Sequence, residues 1–160
     1  MRVERCLILT RLIIKGLFLK RRLKMITLPQ VDFCGLKVSR LVLGANPFGG
    51  FSHQNPERDK EMVAYYTVTR IHETWERAEK VGINTMITNN ETPHVVQAVR
   101  EYRTAKGPLQ WIAQVNFRQK AHMFAAIDEV VNIGCKALYF HGALVDDAYL
   151  NQDDTKLRSW

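Results

Sequence analysis

Three cysteines are too few and too scattered to hold this chain together. Cys6, Cys34 and Cys135 are an odd number without paired spacing, which argues against a disulfide framework or a structural zinc site and fits reduced thiols in a cytoplasmic protein. No uncharged apolar run approaches the roughly 20 residues that cross a bilayer. The dinucleotide fingerprint GxGxxG is missing, and His72-Glu73 opens like HExxH but meets Glu76 where the second histidine belongs, so that zinc motif is discarded. Acidic residues are scarce in one place only. Of 23 basic and 16 acidic residues, eight and one lie in residues 1–24, which leaves 15 of each in the body. The net charge of +7 therefore belongs to the leader, and the body has no basic stripe for nucleic acid.

Within residues 1–24 the apolar runs are each cut by a single basic residue, which rules out the continuous core of a secretory signal. A basic amphipathic helix on a membrane surface is one reading, and membrane contact is expected only there. The favoured reading makes Met25 the natural start, with residues 1–24 outside the fold and residues 25–160 a single partial domain.

What is present is a repeated grammar. Val38–Phe51, VSRLVLGANPFGGF, reads as a buried strand running into a glycine-rich loop. Ahead of it, a strand over 26–33, a turn at Cys34-Gly35-Leu36 and a returning strand over 37–43 read as a hairpin. Short apolar strands then follow Gly82, Gly107 and Gly134, and those glycines are 25 and 27 residues apart. Segments of helical spacing lie between them. One starts at Asn55-Pro56 and reaches Val81, with a weak region over 67–69; another starts at Thr92-Pro93; a third covers about 120–133, with Met123, Phe124, Ile127, Val130 and Val131 on its apolar face. The tail from Asp146 is polar, with Tyr149 and Leu150 as anchors.

Repeated strand–helix units of this length predict an α/β fold with a parallel sheet and right-handed crossovers. An open doubly wound sheet and a (β/α)8 barrel both satisfy that. Pro47 stands where a phosphate-binding turn needs backbone N–H groups, which favours the barrel. In a barrel, polar residues at strand C-termini share one mouth. The expected small-molecule site then has Asn46, Asn89, Asn90, Gln114 and Asn116 as binding residues, and His141 and Glu91 as the catalytic pair, with His141 suited to acid/base work near neutral pH. No metal is expected.

The stretch GLKVSRLVLGANPFGG (35–50), with GINTMIT (82–88) and KALYFH (136–141), resembles the opening of aldo-keto reductase barrels. The resemblance covers residues 25–147 and is closest to a divergent bacterial branch with a loop of the NPFGGFSHQNPERD type. It implies the N-terminal half of a (β/α)8 barrel, about four βα units behind a β-hairpin, and an NADP-dependent oxidoreductase acting on a small carbonyl or sugar-like substrate. His141 matches the family's catalytic histidine. The positions of its aspartate, tyrosine and lysine fall at Ile87, Thr92 and Gln114, which cannot reproduce the proton relay. An acid/base or metal-assisted lyase or isomerase in the same mouth, and a non-catalytic fragment, are the alternatives. A full barrel needs about 250 residues, so the chain is expected to be a truncated frame, whose two open strand edges invite self-association.

Overall fold

Helix starts follow from side chains that satisfy otherwise unpaired backbone N–H groups. Asn55 Oδ1 accepts from the Arg58 N–H at 2.8 Å, Pro56 takes the first helical position, and Glu57 and Asp59 put negative charge in the first turn. Such a cap stabilises by about 1 kcal/mol, and the acidic turn complements the helix dipole. Thr67 caps a second start through Arg70 N, so the helical stretch expected from 55 to 81 divides at Tyr66 and Thr67.

The computed structural model describes residues 28–117 and 120–159. In chain order it contains β1 (Gln30–Phe33), β2 (Leu36–Ser39), a one-turn helix α1 (Asn46–Gly49), α2 (Pro56–Tyr65), α3 (Val68–Lys80), β3 (Thr85–Asn89), α4 (Pro93–Thr104) and β4 (Gln110–Val115). A 3-10 turn (Lys120–His122) then leads into α5 (Met123–Ile133), β5 (Ala137–Phe140), α6 (Ala143–Leu150) and α7 (Asp154–Arg158). The expectations for residues 1–24 lie outside the described residues. Among the described residues no helix is long and apolar enough to cross a membrane.

The protein is a mixed α/β fold with a small parallel sheet ordered β3-β4-β5. Leu43 adds one bridge on the β3 side, parallel to Met86, donating to Thr85 O at 3.1 Å and accepting from Ile87 N at 2.8 Å. The hairpin β1-β2 is antiparallel and sits at the N-terminal end of the sheet, where Lys37 O accepts from Asn84 Nδ2 and Gln110 Nε2.

Val38–Leu43 is not the one buried strand expected from its composition. β2 stops at Ser39, and Leu41 and Val42 are 59% and 39% exposed. Ser39 is the cause: its N–H donates to Asn84 Oδ1 at 2.8 Å and its hydroxyl to Leu41 O at 2.7 Å, which turns the chain out of line before Leu43.

Alternate strand residues face opposite ways. Met86, Trp111, Ala113 and Val115 join Ile71, Trp75, Val95, Val99, Tyr102 and Val130 in one cluster beneath α3, α4 and α5, which pack side by side. That helix-covered side is the core. Trp75 and Trp111 are its largest fully buried members, and truncating either to alanine costs about 3–5 kcal/mol.

Two smaller expectations also change. On α5, Val130 is buried while Phe124 and Val131 are exposed; the inward stripe is Met123, Ala126, Val130 and Ile133. In the tail, Tyr149 and Leu150 are 73% and 78% exposed and anchor nothing; the buried residue is Ala148, on a helix that polar composition concealed.

Candidate functional site

Parallel register decides which side chains share the face opposite the core. Thr85 pairs with Gln110; Ile87 aligns with Ile112 and Ala137; Asn89 aligns with Gln114 and Tyr139. Neighbouring parallel strands lie about 4.8 Å apart, so each row is a band of side chains across the sheet. From the hairpin end outward the bands read polar, apolar, polar, and the last one forms the floor of a cavity at the strand C-termini.

That cavity measures about 870 Å³ and is lined by Gly44 to Pro47, Phe51, His53, Ile87 to Asn89, Glu91, Gln114, Asn116, Tyr139 and His141. Six of the seven residues expected from sequence border it: Asn46, Asn89, Glu91, Gln114, Asn116 and His141. The seventh does not. Asn90 Nδ2 donates to Asn116 O at 3.2 Å and its Oδ1 accepts from Asn116 N at 2.9 Å. This two-point amide pair joins the ends of β3 and β4, so Asn90, expected as a binding residue, serves here as a strand tie. It borders a smaller hollow of about 390 Å³ beside the main cavity.

The other amides are partly spoken for. Asn89 Oδ1 accepts from Glu91 N at 3.1 Å and Thr92 N at 3.0 Å, which sets the turn into α4. Asn116 Oδ1 accepts from Phe117 N at 3.0 Å. Gln114 Oε1 accepts from the Tyr139 hydroxyl at 2.6 Å. Asn46 Nδ2 donates to His53 Nε2 at 3.3 Å. His94, a helix-face residue, lies outside the cavity lining and ties α4 to α1 through Phe48 O at 2.7 Å.

His141 Nδ1 accepts from the Ala143 N–H at 3.2 Å. A backbone N–H is always a donor, so the neutral ring carries its proton on Nε2. Among the cavity residues this makes His141 a donor at Nε2, and the Glu91 carboxylate is a side chain able to accept a proton. Glu91 is exposed and on the same rim.

Tyr139 also borders the cavity, although the sequence sets it inside an apolar run. It shares the two-residue alternation of His141, and counting back from His141 along β5 would have placed its phenol on the mouth side. Burial pushes the Tyr139 phenol above its ordinary range, so it stays protonated at neutral pH.

No family model, curated protein or solved structure matches this chain. The chemistry open to the cavity follows from its lining. Lys and Arg are absent from it, and Glu91 is its one acidic side chain. A pyrophosphate such as that of NADP, which the resemblance implies, finds no cationic side chain there. Among the described residues no group of three or more His, Cys, Asp and Glu is placed to hold a metal ion.

Proposed function

We propose that the chain from Leu43 to Phe140 is the N-terminal half of an aldo-keto-reductase-like (β/α)8 barrel, and that its mouth binds a small carbonyl or sugar-like compound. Support for the barrel comes from the strand order, which runs Leu43, β3, β4, β5 without the reversal of a doubly wound sheet. The core cluster likewise draws on one face of the sheet. A cytoplasmic location, and self-association through the outer edges of Leu43 and β5, belong to the same reading.

The observation that carries the site is convergence. Side chains from four separate strand ends, up to 95 positions apart from Asn46 to His141, border a single cavity. Convergent polar groups in a cleft at the C-terminal ends of parallel strands are the usual form of a small-molecule site.

The chemistry these residues supply is proton transfer next to a carbonyl. His141 Nε2–H donates to the carbonyl oxygen, and the Glu91 carboxylate takes the proton from the adjacent carbon. A neutral imidazole paired with a carboxylate base is an established pattern for enolisation. Hydride transfer, the reading the resemblance implies, has Ile87, Thr92 and Gln114 where its relay belongs, and the isomerase reading is preferred for that reason.

The test is exchange of the α-protons of hydroxyacetone in D2O, followed by proton NMR, with NADPH oxidation measured in parallel. Wild-type protein is expected to exchange faster than buffer, and His141→Ala and Glu91→Gln to lose about 100-fold or more of that rate. Exchange no faster than buffer would remove the proton-transfer reading. NADPH oxidation without exchange would restore hydride transfer in its place.

A further inference from the structure

The amides of the mouth are polarised by the protein itself. An asparagine or glutamine side chain ordinarily offers a ligand both a C=O acceptor and an NH2 donor. Here the oxygens of Asn89, Gln114 and Asn116 are all engaged by protein donors, two of them by backbone N–H groups that cannot reverse their role. The NH2 end of each amide is left without a partner among the described residues. His141, with Nδ1 occupied by the Ala143 N–H, adds a fourth donor at Nε2.

We propose that Asn89, Gln114 and Asn116 determine specificity in this mouth, selecting a neutral ligand through an acceptor oxygen, and that a hydroxyketone is preferred to the matching diol and to the matching carboxylate. This rests on the small-molecule site proposed above. A diol brings a hydroxyl proton where the ketone brings only lone pairs, so in the band Asn89–Gln114–Asn116 it must compete for amide oxygens that already hold one protein donor each, or two at Asn89. A carboxylate brings acceptors, but it meets Glu91 on the same rim and no Lys or Arg to offset that repulsion. Acceptors that carry no protein donor, among them Asn46 Oδ1, the Tyr139 hydroxyl oxygen and the Glu91 carboxylate, suit the hydroxyl of a hydroxyketone. A donor left unpaired by the wrong ligand is costly, and that penalty is the basis of the selection.

The amide engagements also supply conservative probes. In Asn89→Asp, Gln114→Glu and Asn116→Asp the introduced carboxylate still accepts from the same protein donor, so the turns at 89–92 and 116–117 and the Tyr139 contact keep their partner. The NH2 is exchanged for an acceptor oxygen that carries negative charge above the carboxylate range.

The experiment is ligand-observed saturation-transfer NMR with hydroxyacetone, propane-1,2-diol and lactate, three compounds on one three-carbon skeleton, against wild type and the three variants. Thermal midpoints confirm that each variant folds. Hydroxyacetone is expected to bind wild type at least about tenfold more tightly than the diol or lactate, and each variant to weaken it by about tenfold or more. Binding to Gln114→Glu should recover as the pH falls through the carboxylate range near about 4, where the new side chain regains a proton to donate. A role for Gln114 in folding alone would show no such recovery. If the diol or lactate binds wild type as tightly as hydroxyacetone, or the variants bind hydroxyacetone unchanged, the donor selection is overturned while the binding mouth stands. If none of the three compounds binds wild type, the site reading and this inference fall together.

Discussion

Asn90 and Asn116 hold each other as two strands do, amide against peptide, with Asn116 N 2.9 Å from Asn90 Oδ1 and Asn90 Nδ2 3.2 Å from Asn116 O. The pair closes the gap between β3 and β4 beyond their last ladder bonds. Its effect on function is indirect: it fixes where Asn116 presents its own side chain to the cavity.

Removing that tie should cost stability. Asn90→Ala leaves the Asn116 N–H and C=O without their partners in a half-buried position, and a loss of about 1–3 kcal/mol is expected. Urea denaturation followed by circular dichroism measures it. A midpoint equal to wild type would mean that water replaces Asn90 without penalty.

Tyr102 should make the protein sensitive to alkali. Its hydroxyl donates to Glu79 and accepts from Leu109 N at 3.1 Å, locking α3, α4 and the entry to β4 together. Burial first, and then the Glu79 carboxylate, raise the phenol well above its ordinary value near 10. The folded state therefore holds this proton more tightly than the unfolded chain does. The stabilisation is complete below pH 10 and is lost as the pH rises from there toward the folded value. Thermal midpoints should fall above pH 10 in wild type. Tyr102→Phe should lower the midpoint at neutral pH, by about 1–3 kcal/mol of stability, and flatten the alkaline decline. A decline of equal steepness in the variant would assign it to other groups.

Asp59 governs the loop that carries His53. Its Oδ1 accepts from Ser52 N at 2.8 Å, and the interaction with Ser52 holds this carboxyl below the ordinary carboxylate range, with the proximity of His53 adding to the effect. Because the folded value is depressed, the contribution is present at neutral pH and is lost as the pH falls through the folded value. The Ser52 amide resonance should titrate below pH 3.8, and Asp59→Asn should abolish that titration while leaving α2 intact. A Ser52 amide that titrates at the ordinary carboxylate value would sever the link.

Much of the architecture was legible because its causes are local. Asn55-Pro56 and Thr92-Pro93 announce helices through chemistry contained in four residues, and the strands after Gly82, Gly107 and Gly134 stand out by apolar run and spacing. The failures share a cause as well. Leu41 and Val42 look buried by type, yet Ser39 uses a side chain 45 positions away, Asn84, to leave the strand early. Phe124 and Val131 fit a helical stripe, but the direction in which α5 turns its stripe depends on α4 and β4.

The sequence by itself determined that strand and helix alternate, that the strands run parallel, and that amides and a histidine stand at strand ends, since periodicity and capping need only near neighbours. Tertiary structure alone decided what those polar groups do. A register that aligns Gln114 with Tyr139 makes a neighbour of a residue 25 positions away, and only then is it fixed which end of each amide the protein engages and which it does not. A hydrogen bond depends on the atom that arrives opposite, and no stretch of sequence contains that information.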